Sequence, residues 1–415
     1  MDLSGKYTLE IPQVKKCAVA YSGGLDSALA LKLLPEYYGC EEVLACTVNV
    51  GLTDAEIEMC KSKAELLGVP WFFIDAEEEF VNECLTKAIW ANSSYEGYPV
   101  ATSMTRQLIA RKVAEFAVEQ GCDSLCEGST GKGNDQFRMH NVFSLFAPDL
   151  TVVVPVRDFN MNREEEKELS KQYGIPYKAG IGDDLTMWCR SIGSGEVSNL
   201  KMRIPQDEFI WYKYPENACD EPHEMEIEFE GGLPVKCDGV EGLANIIHYL
   251  NDLGGSHGIG KIDMFEDGMI GLKSREVYEA PAAKIILTLH QDMEQLCLSK
   301  EQVLFKPIVE RQWAYLVYHG GWYHPLKHDC DQFIAASQWA VSGKYKVVLY
   351  KGNIDIIERQ SESRLFRPEL RAIVEREKEP GEVRIVWDQQ ESGPAVKIHG
   401  FQYQIMGHRG MPYVK

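Results

Sequence analysis

The sequence predicts a two-domain α/β protein whose first domain is a doubly wound, mainly parallel sheet. Three observations support this fold class. Short apolar runs alternate with helical periods from residue 15 to about 175, a glycine-rich turn joins the first strand to the first helix, and hairpin patterns appear after about residue 185. Strand–helix alternation is typical of parallel sheets, and hairpins favour an α+β arrangement. We therefore divide the chain into an α/β domain over 1–180, an α+β domain over 181–370 and a strand-like C-terminal tail over 371–415.

The first domain is predicted from its apolar runs. Five of them indicate strands, at residues 16–21, 42–50, 71–75, 123–128 and 151–156. Amphipathic runs between the strands indicate helices, at 54–68, 105–121 and 162–174. Ligands of such sheets bind at the carboxyl ends of the strands, where the glycine-rich turns fall.

The second domain has a different pattern. Residues 224–239 predict a hairpin, 240–254 a helix, and 346–360 a second hairpin that turns near Gly352-Asn353. After Gly381 apolar residues alternate with polar ones, which predicts strands rather than a helix in the tail.

Composition limits the classes of function. The formal net charge of −20 argues against a nucleic-acid partner, because DNA and RNA binding depends on neutralising phosphates. No apolar run reaches the length of about 18 residues that a membrane span needs, and the N-terminus has no signal-peptide core. The 12 cysteines are scattered without zinc-ligand spacing, so we expect reduced core residues and no metal site built from them. We expect a cytoplasmic protein.

The first glycine-rich turn has the sequence SGGLDS, residues 22–27, between a strand and an apolar helix. Glycines there let backbone N–H groups approach an oxyanion, and the helix N-terminus adds partial positive charge. SGGLDS resembles the loop of the ATP pyrophosphatase family, and this resemblance implies an enzyme that holds the β–γ end of ATP with backbone amides, hydroxyls and magnesium. Such binding would explain why the turn lacks the lysine of a P-loop. Asp26 is predicted to cap the helix or to bind the metal, and Ser22 and Ser27 offer hydroxyl groups.

A second glycine-rich segment, EGSTGKGNDQFR, spans Glu127 to Arg138 and again follows a strand. It contains Lys132, and its polar side chains can bind amines and carboxylates through charge-assisted hydrogen bonds. Asn134 and Arg138 are four residues apart and are predicted to share one helical face.

Together these motifs resemble those of the argininosuccinate synthase family, within the ATP pyrophosphatase superfamily. The likeness includes SGGLD, GSTGKGNDQ and GGSHGIGKIDMFEDGMIGLKSREVYEAPAA at 254–283, and it spans roughly residues 16 to 367. The resemblance implies a nucleotide-binding domain followed by a synthetase domain. It also implies a ligase in which ATP adenylates the ureido oxygen of citrulline with release of pyrophosphate, and the amine of aspartate then displaces AMP.

The resemblance also implies the site residues. Those that match the family's ATP site are Ala20, Tyr21, Ser22, Gly23, Gly24, Leu25, Asp26, Ser27, Ala28, Val48 and Gly128. Those that match its substrate sites are Tyr98, Thr102, Ser103, Arg106, Thr130, Asn134, Asp135, Arg138, Ser191, Glu266 and Tyr278. Asp26, Lys132 and Asp135 are the expected catalytic residues, with ATP and Mg²⁺ as cofactors. The expected partners are aspartate and citrulline or a related acceptor, in a homo-oligomer.

Departures from the family concern the acceptor and the tail. With Ser191 aligned, Gly182 stands where the family has a serine and Gly193 where it has a glutamate. Two polar contacts to the acceptor are then missing, so we expect citrulline to bind weakly or to be held by a repositioned carboxylate of Asp183 or Asp184. The strand-like tail also replaces a family helix that assembles tetramers.

Three alternatives stay open at this point. The same chemistry could act on another ureido or amide acceptor. A tRNA-modifying enzyme with the same ATP loop would need a basic RNA-binding surface. A non-catalytic nucleotide-binding paralogue would more readily have lost Asp26, Lys132 or Asp135.

Overall fold

The first domain is built on a parallel sheet, as predicted. The computed structural model describes residues 3, 6–7, 10–129, 133–177, 182–193 and 195–366. The strands of this sheet are β1 Lys16–Ala20, β2 Glu42–Asn49, β3 Trp71–Asp75, β4 Ser124–Cys126 and β5 Thr151–Val153. They lie in the order β3-β2-β1-β4-β5, and every pairing is parallel. The predicted α/β fold class and all five predicted strands are confirmed.

Helices cover both faces of this sheet. They are α1 Leu25–Tyr37, α2 Asp54–Leu66, a segment of short turns (α3 Glu77–Glu79, a π-helical turn Phe80–Leu85 and α4 Thr86–Trp90), α5 Thr102–Glu119, α6 Asp135–Phe146, α7 Pro155–Asp158 and α8 Arg163–Tyr173. Cys17 and Val19 of β1 belong to the apolar cluster formed with α1, α2 and α8, whereas Ala18 belongs to the cluster formed with α5. Successive side chains of a strand point to opposite faces, so both faces are buried.

The strand order places a ligand crevice beside β1. From β1 the chain continues to β2 on one side of the sheet, while β4 lies on the other side. The carboxyl ends of β1 and β4 are therefore adjacent at a topological switch point, where open α/β sheets bind their ligands. Both glycine-rich segments begin there.

The second domain contains two antiparallel sheets. Its strands are β6 Gly182–Leu185, β7 Arg190–Gly193, β8 His223–Glu230, β9 Leu233–Cys237, β10 Val240–Glu241, β11 Lys261–Asp267, β12 Lys273–Glu279, β13 Gly343–Tyr350 and β14 Asn353–Gln360. One sheet has the order β11-β12-β7-β6 and the other β10-β9-β8-β13-β14. We call the first of these the acceptor sheet, because it carries Ser191, Glu266 and Tyr278, which are predicted to contact the acceptor.

The hairpin predictions hold, with two adjustments. The second hairpin turns at Lys351-Gly352, both with positive φ (46° and 90°), one residue before the predicted turn. Val240 and Glu241 pair with β9 instead of starting the predicted helix, which begins at Leu243. The preceding Gly242 has a φ of 87°, which favours glycine and separates the strand from the helix.

The helices of the second domain are α9 Leu243–Ser256, α10 Pro281–Cys297, α11 Lys300–Tyr318 and α12 Pro325–Gln338. One continuous apolar cluster joins Ala114 of α5 to Leu250 of α9 and Ile286 of α10, so the two domains share a core. In the described ranges, no helix is both long and apolar enough to cross a bilayer. The predicted strand-like tail over 371–415 lies outside the described residues.

Candidate active site

The first loop joins β1 to α1. Its helix begins at Leu25 with Gly24 as the N-cap, so the prediction that Asp26 caps the helix is wrong. Asp26 lies instead in the first turn, where its Oδ1 accepts a hydrogen bond of 2.8 Å from Nη1 of Arg163. Burial raises the pKa of Asp26, and the guanidinium of Arg163 opposes that rise. The loop thus has a carboxylate whose local partner is a cation of α8.

The two glycine-rich loops approach each other closely. A Cβ at Gly128 would lie 3.0 Å from the backbone nitrogen of Ser27, and a Cβ at Gly23 would lie 2.9 Å from Sγ of Cys60. Gly23 also has a φ of 70°, which favours glycine. The hydroxyls of Ser22 and Ser27 are 3.3 Å apart. A larger residue at Gly128 would collide with the backbone of the first loop, and one at Gly23 would collide with Cys60 of α2. The close approach leaves backbone amides and hydroxyls at a helix N-terminus, and these groups suit a phosphate.

Most of the remaining predicted ATP-site residues have side chains that pack in the core beneath the first loop. The side chains of Tyr21, Leu25, Ala28 and Val48 are buried in the core, and Ala20 is half-buried. The Tyr21 carbonyl also accepts a hydrogen bond of 2.9 Å from Oγ1 of Thr47. These residues hold the loop backbone in place, and their side chains face the core.

Two cations near this loop were missed by the sequence reasoning. Nζ of Lys63 on α2 donates a hydrogen bond of 2.7 Å to the carbonyl of Gly23, and Arg163 on α8 pairs with Asp26. Burial lowers the pKa of Lys63. Neither residue lies near the loop in the sequence, and no local pattern marks them. The loop therefore lacks a lysine of its own but receives positive charge from two neighbouring helices.

The second loop leads into α6, which begins at Asp135 with Asn134 as the N-cap residue. Oδ2 of Asp135 accepts a hydrogen bond of 2.9 Å from Nε of Arg106, and Oδ1 accepts one of 2.8 Å from Nη1 of Arg138. Burial opposes ionisation of Asp135, but the two guanidinium groups lower its pKa overall. Thr130 and Lys132, predicted for aspartate binding and catalysis, lie outside the described residues.

Arg106 links the two domains. Besides Asp135, its guanidinium binds the carboxylate of Asp184 on β6. Asp184 is thus already ion-paired, and Asp183 pairs with Ile192 in the strand register, between the positions of Ser191 and Gly193. The carboxylate of Asp184, one of the two expected to replace the lost acceptor contacts, is therefore engaged by Arg106.

One face of the acceptor sheet collects the predicted acceptor residues. Ser191 on β7 lies directly opposite Asp184 on one side and Tyr278 of β12 on the other. The Tyr278 hydroxyl donates a hydrogen bond of 2.7 Å to Oε2 of Glu266 on β11. The ring of Tyr98 stacks on that of Tyr278, with centroids 4.2 Å apart and planes within 2° of parallel. These distant parts of the chain form one polar and aromatic surface.

Tyr318, at the end of α11, connects this face to the second loop. Its hydroxyl donates to Oε1 of Glu266 and accepts a hydrogen bond of 3.0 Å from Nδ2 of Asn134. Its carbonyl accepts a hydrogen bond of 3.0 Å from Nε of Arg138. We did not predict this residue. In the sequence, Tyr318 lies in the run AYLVYHGGW, residues 314–322, which resembles the family. That run does not indicate which residues Tyr318 would contact.

Helix α5 begins with Thr102 and carries buried polar atoms near Arg106. Oγ of Ser103 and both side-chain polar atoms of Gln107 are buried and make no hydrogen bond to any residue that the structure describes. Buried polar atoms without a partner are uncommon and costly, so each calls for an explanation such as a bound ligand. This supports the predicted place of Ser103 beside a substrate.

Magnesium suits the donors of the first loop. Mg²⁺ is usually held by one or two carboxylates together with substrate phosphates and water. Asp26, Ser22 and Ser27 supply one carboxylate and two hydroxyls beside the crevice. Within the described parts of the chain, no group of three or more histidine, cysteine, aspartate or glutamate residues could bind a metal without a substrate.

Comparisons with known proteins cover both domains. Residues 16–176 match the family described as arginosuccinate synthase N-terminal HUP domain, and residues 182–406 match the arginosuccinate synthase C-terminal domain. The second match continues past residue 367, where the motifs recognised in the sequence end, so the resemblance was drawn too short. The structure of the tail itself stays a prediction.

The chain aligns with curated relatives along nearly their whole length. The chain is 39% identical to the argininosuccinate synthase of Methanopyrus kandleri over 397 residues, which cover 94% of this chain and 98% of the relative. It is 42% identical to that of Methanocaldococcus jannaschii over 392 residues, covering 92% and 96%. It is 40% identical to that of Methanosarcina acetivorans over 394 residues, covering 94% and 97%.

Proposed function

The chain belongs to the argininosuccinate synthase family, and on this premise we propose that it joins L-aspartate to L-citrulline with cleavage of ATP to AMP and pyrophosphate. It is a C–N ligase of the argininosuccinate synthase type. Family membership identifies the class of reaction. The geometry supports ATP binding by the first domain and acceptor binding by the second.

The observation that carries the proposal is the ion-paired bridge between the domains. Asp135 of the second loop binds Arg106 and Arg138, and Arg106 continues to Asp184 of the acceptor sheet. This bridge joins the second loop to the polar face of the acceptor sheet, which supports a shared site for ATP and the acceptor. A ligation needs both substrates held in one orientation, and positioning of this kind supplies a large part of a rate enhancement.

The chemistry requires an activated acceptor, because the ureido group is a poor electrophile. Its oxygen attacks the α-phosphorus of ATP, the bond to the β-phosphate breaks, and pyrophosphate leaves. The amine of aspartate then attacks the ureido carbon, the carbon–oxygen bond breaks, and AMP leaves with that oxygen. Backbone amides and hydroxyls of the first loop suit the pyrophosphate. Asp26 would hold the magnesium ion, which when bound screens the phosphate charges.

On the acceptor side, Glu266 and its two tyrosines form a fixed group. Tyr278 and Tyr318 both donate hydrogen bonds to this carboxylate, which fixes its orientation. Ser191 lies beside Tyr278 in the strand register. This convergence supports citrulline rather than a different ureido or amide acceptor.

The proposal is tested by measuring pyrophosphate release with ATP, aspartate and a panel of ureido and amide acceptors. Release that depends on both aspartate and citrulline is expected. Faster release with another acceptor, or sustained release over many turnovers without aspartate, would contradict the proposal. A single equivalent per site without aspartate agrees with it, because adenylation precedes the attack of aspartate.

A further inference from the structure

A second carboxylate lies on the same face of the acceptor sheet as Ser191 and Tyr278. Val277 pairs with Ile192 and Tyr278 with Ser191, so the antiparallel register continues with Glu276 opposite Gly193. Glu276 is also opposite Met264 of β11. Because side chains alternate along strands, Glu276 points to the face that carries Tyr278.

The carboxylate of Glu276 reaches across to Gly193. A Cβ built on Gly193 would overlap Oε2 of Glu276 and lie 3.3 Å from its Cδ. The side chain of Glu276 therefore occupies the space in which a side chain at position 193 would begin. The absence of a side chain at Gly193 leaves a place on this face that a carboxylate from the neighbouring strand fills.

Unlike Asp184 and Glu266 on the same face, Glu276 has neither an ion-paired cation nor a tyrosine hydroxyl as a partner among the described residues. Asp184 is paired with Arg106, and Glu266 accepts the hydroxyls of Tyr278 and Tyr318. Glu276 forms no ion pair with any residue in the described ranges. A carboxylate that is largely removed from water without a cation is costly, unless a ligand supplies the positive charge.

The electrostatics agree with that geometry. Burial raises the pKa of Glu276 to about 7, a hydrogen bond from Ser274 opposes the rise, and the charge of Glu266 adds to it. An ammonium group beside Glu276 would reverse this effect, because an opposite charge favours the ionised form.

We propose that Glu276 binds the α-ammonium group of the acceptor and so sets the specificity for an α-amino acid. The inference rests on the proposed function, since it assumes that the acceptor binds on this face. An anionic side chain cannot bind the acceptor's carboxylate, and the ureido group must face ATP, which leaves the ammonium group as its partner.

The first test compares two acceptors in Glu276→Gln and in the wild type. Citrulline carries the ammonium group, and ureidopentanoate is the same molecule without the α-amino group. We expect Glu276→Gln to lower kcat/KM for citrulline by roughly 10- to 100-fold, the usual loss of a hydrogen bond between charged groups. For ureidopentanoate, kcat/KM should change little. Glu224→Gln, at an exposed position of β8, is the matched control and should leave both values unchanged.

A second variant moves the carboxylate instead of removing it. Gly193→Glu alone should be strongly impaired, because its side chain would collide with Glu276. Gly193→Glu combined with Glu276→Gly returns a carboxylate to the same space from the opposite strand. This double variant should recover most of the activity with citrulline that Glu276→Gly loses.

Direct titration separates this inference from the proposed function. Calorimetry should detect citrulline binding to the wild type, weakened by roughly 10- to 100-fold in Glu276→Gln. Citrulline binding without turnover would contradict the proposed function while supporting this inference. An equal loss for citrulline and ureidopentanoate, unchanged citrulline binding in Glu276→Gln, or no binding to the wild type would each overturn the inference.

Discussion

The nucleotide-binding loop and the acceptor sheet are built in different ways. The loop is a continuous run of residues between β1 and α1, and several of its side chains face the core while its backbone faces the crevice. The acceptor face is assembled from four strands and α11, and we propose that its side chains bind the substrate. A local motif can therefore identify the nucleotide site, whereas the acceptor site depends on strand register.

The difference makes the bridge between the two regions their most sensitive point. Asp135→Ala would leave Arg106 and Arg138 without a shared counter-charge. Removing one partner of a fully buried ion pair costs about 3–5 kcal/mol. Because Asp135 is only half-buried, we expect a smaller loss, with ligation falling by roughly 10²-fold. ATP affinity should persist, because the first loop is untouched.

Calorimetry with ATP and kinetics with aspartate measure these two effects. Glu119→Ala, at an exposed position of α5, serves as the control. If ATP affinity fell while saturation by aspartate stayed unchanged, Asp135 would belong to the nucleotide site instead.

The one side chain of the loop expected to matter strongly is Asp26. Asp26→Ala should lower turnover by on the order of 10²-fold, because the leaving pyrophosphate would lose a group that holds its counter-ion. Among the residues that the structure describes, Arg163 would then keep only Glu166 as an ion-pair partner. Turnover assays over a range of magnesium concentrations test this, with Glu164→Ala on the same helix as control. Unchanged turnover at every magnesium concentration would remove Asp26 from the mechanism.

On the acceptor face, Tyr318→Phe removes a hydroxyl that donates to Glu266 and accepts from Asn134. A lost hydrogen bond to a charged group costs about 1.5–3 kcal/mol, so kcat/KM for citrulline should fall by roughly 10- to 100-fold. Half-saturation by ATP should not change. A shift in ATP half-saturation of the same size would mean that the two regions are not separate.

The acceptor face should also respond to pH. Glu276 must be ionised to bind an ammonium group, and its pKa in the free protein is raised to about 7. Values of kcat/KM report ionisations of the free enzyme, so kcat/KM for citrulline should fall by about tenfold per pH unit below that pKa. Glu276→Gln should lack this limb of the profile. A limb that persisted in the variant would assign the ionisation to another group.

The smallest effect is expected at Tyr21, within the nucleotide-binding loop. Its hydroxyl is buried and makes no hydrogen bond to the described part of the chain. Tyr21→Phe removes a polar group that has no such partner, so ATP affinity should stay within about twofold and stability should not fall. Binding and thermal unfolding measure both quantities. A large loss of ATP affinity would show that this side chain, and not only the backbone, binds the nucleotide.

The same contrast explains what the sequence could and could not predict. The parallel strands and the SGGLDS loop follow from local periodicity and glycine placement, and the structure agrees with them. The predicted cap at Asp26 was wrong, because the N-cap residue of α1 is Gly24, which has no side chain that could mark it as a cap. Tyr318 and Glu276 could not be found this way, since their partners Asn134 and Gly193 are far away in the chain. Only strand register and packing bring them together.

The central claim is that ATP activates the ureido oxygen of citrulline. Turnover with ATP, aspartate and citrulline labelled with heavy oxygen in its ureido group, followed by mass spectrometry of the nucleotide product, tests it directly. The account predicts AMP that carries the label, because the ureido oxygen leaves bonded to the α-phosphorus. Unlabelled AMP, or ADP as the product, would contradict it.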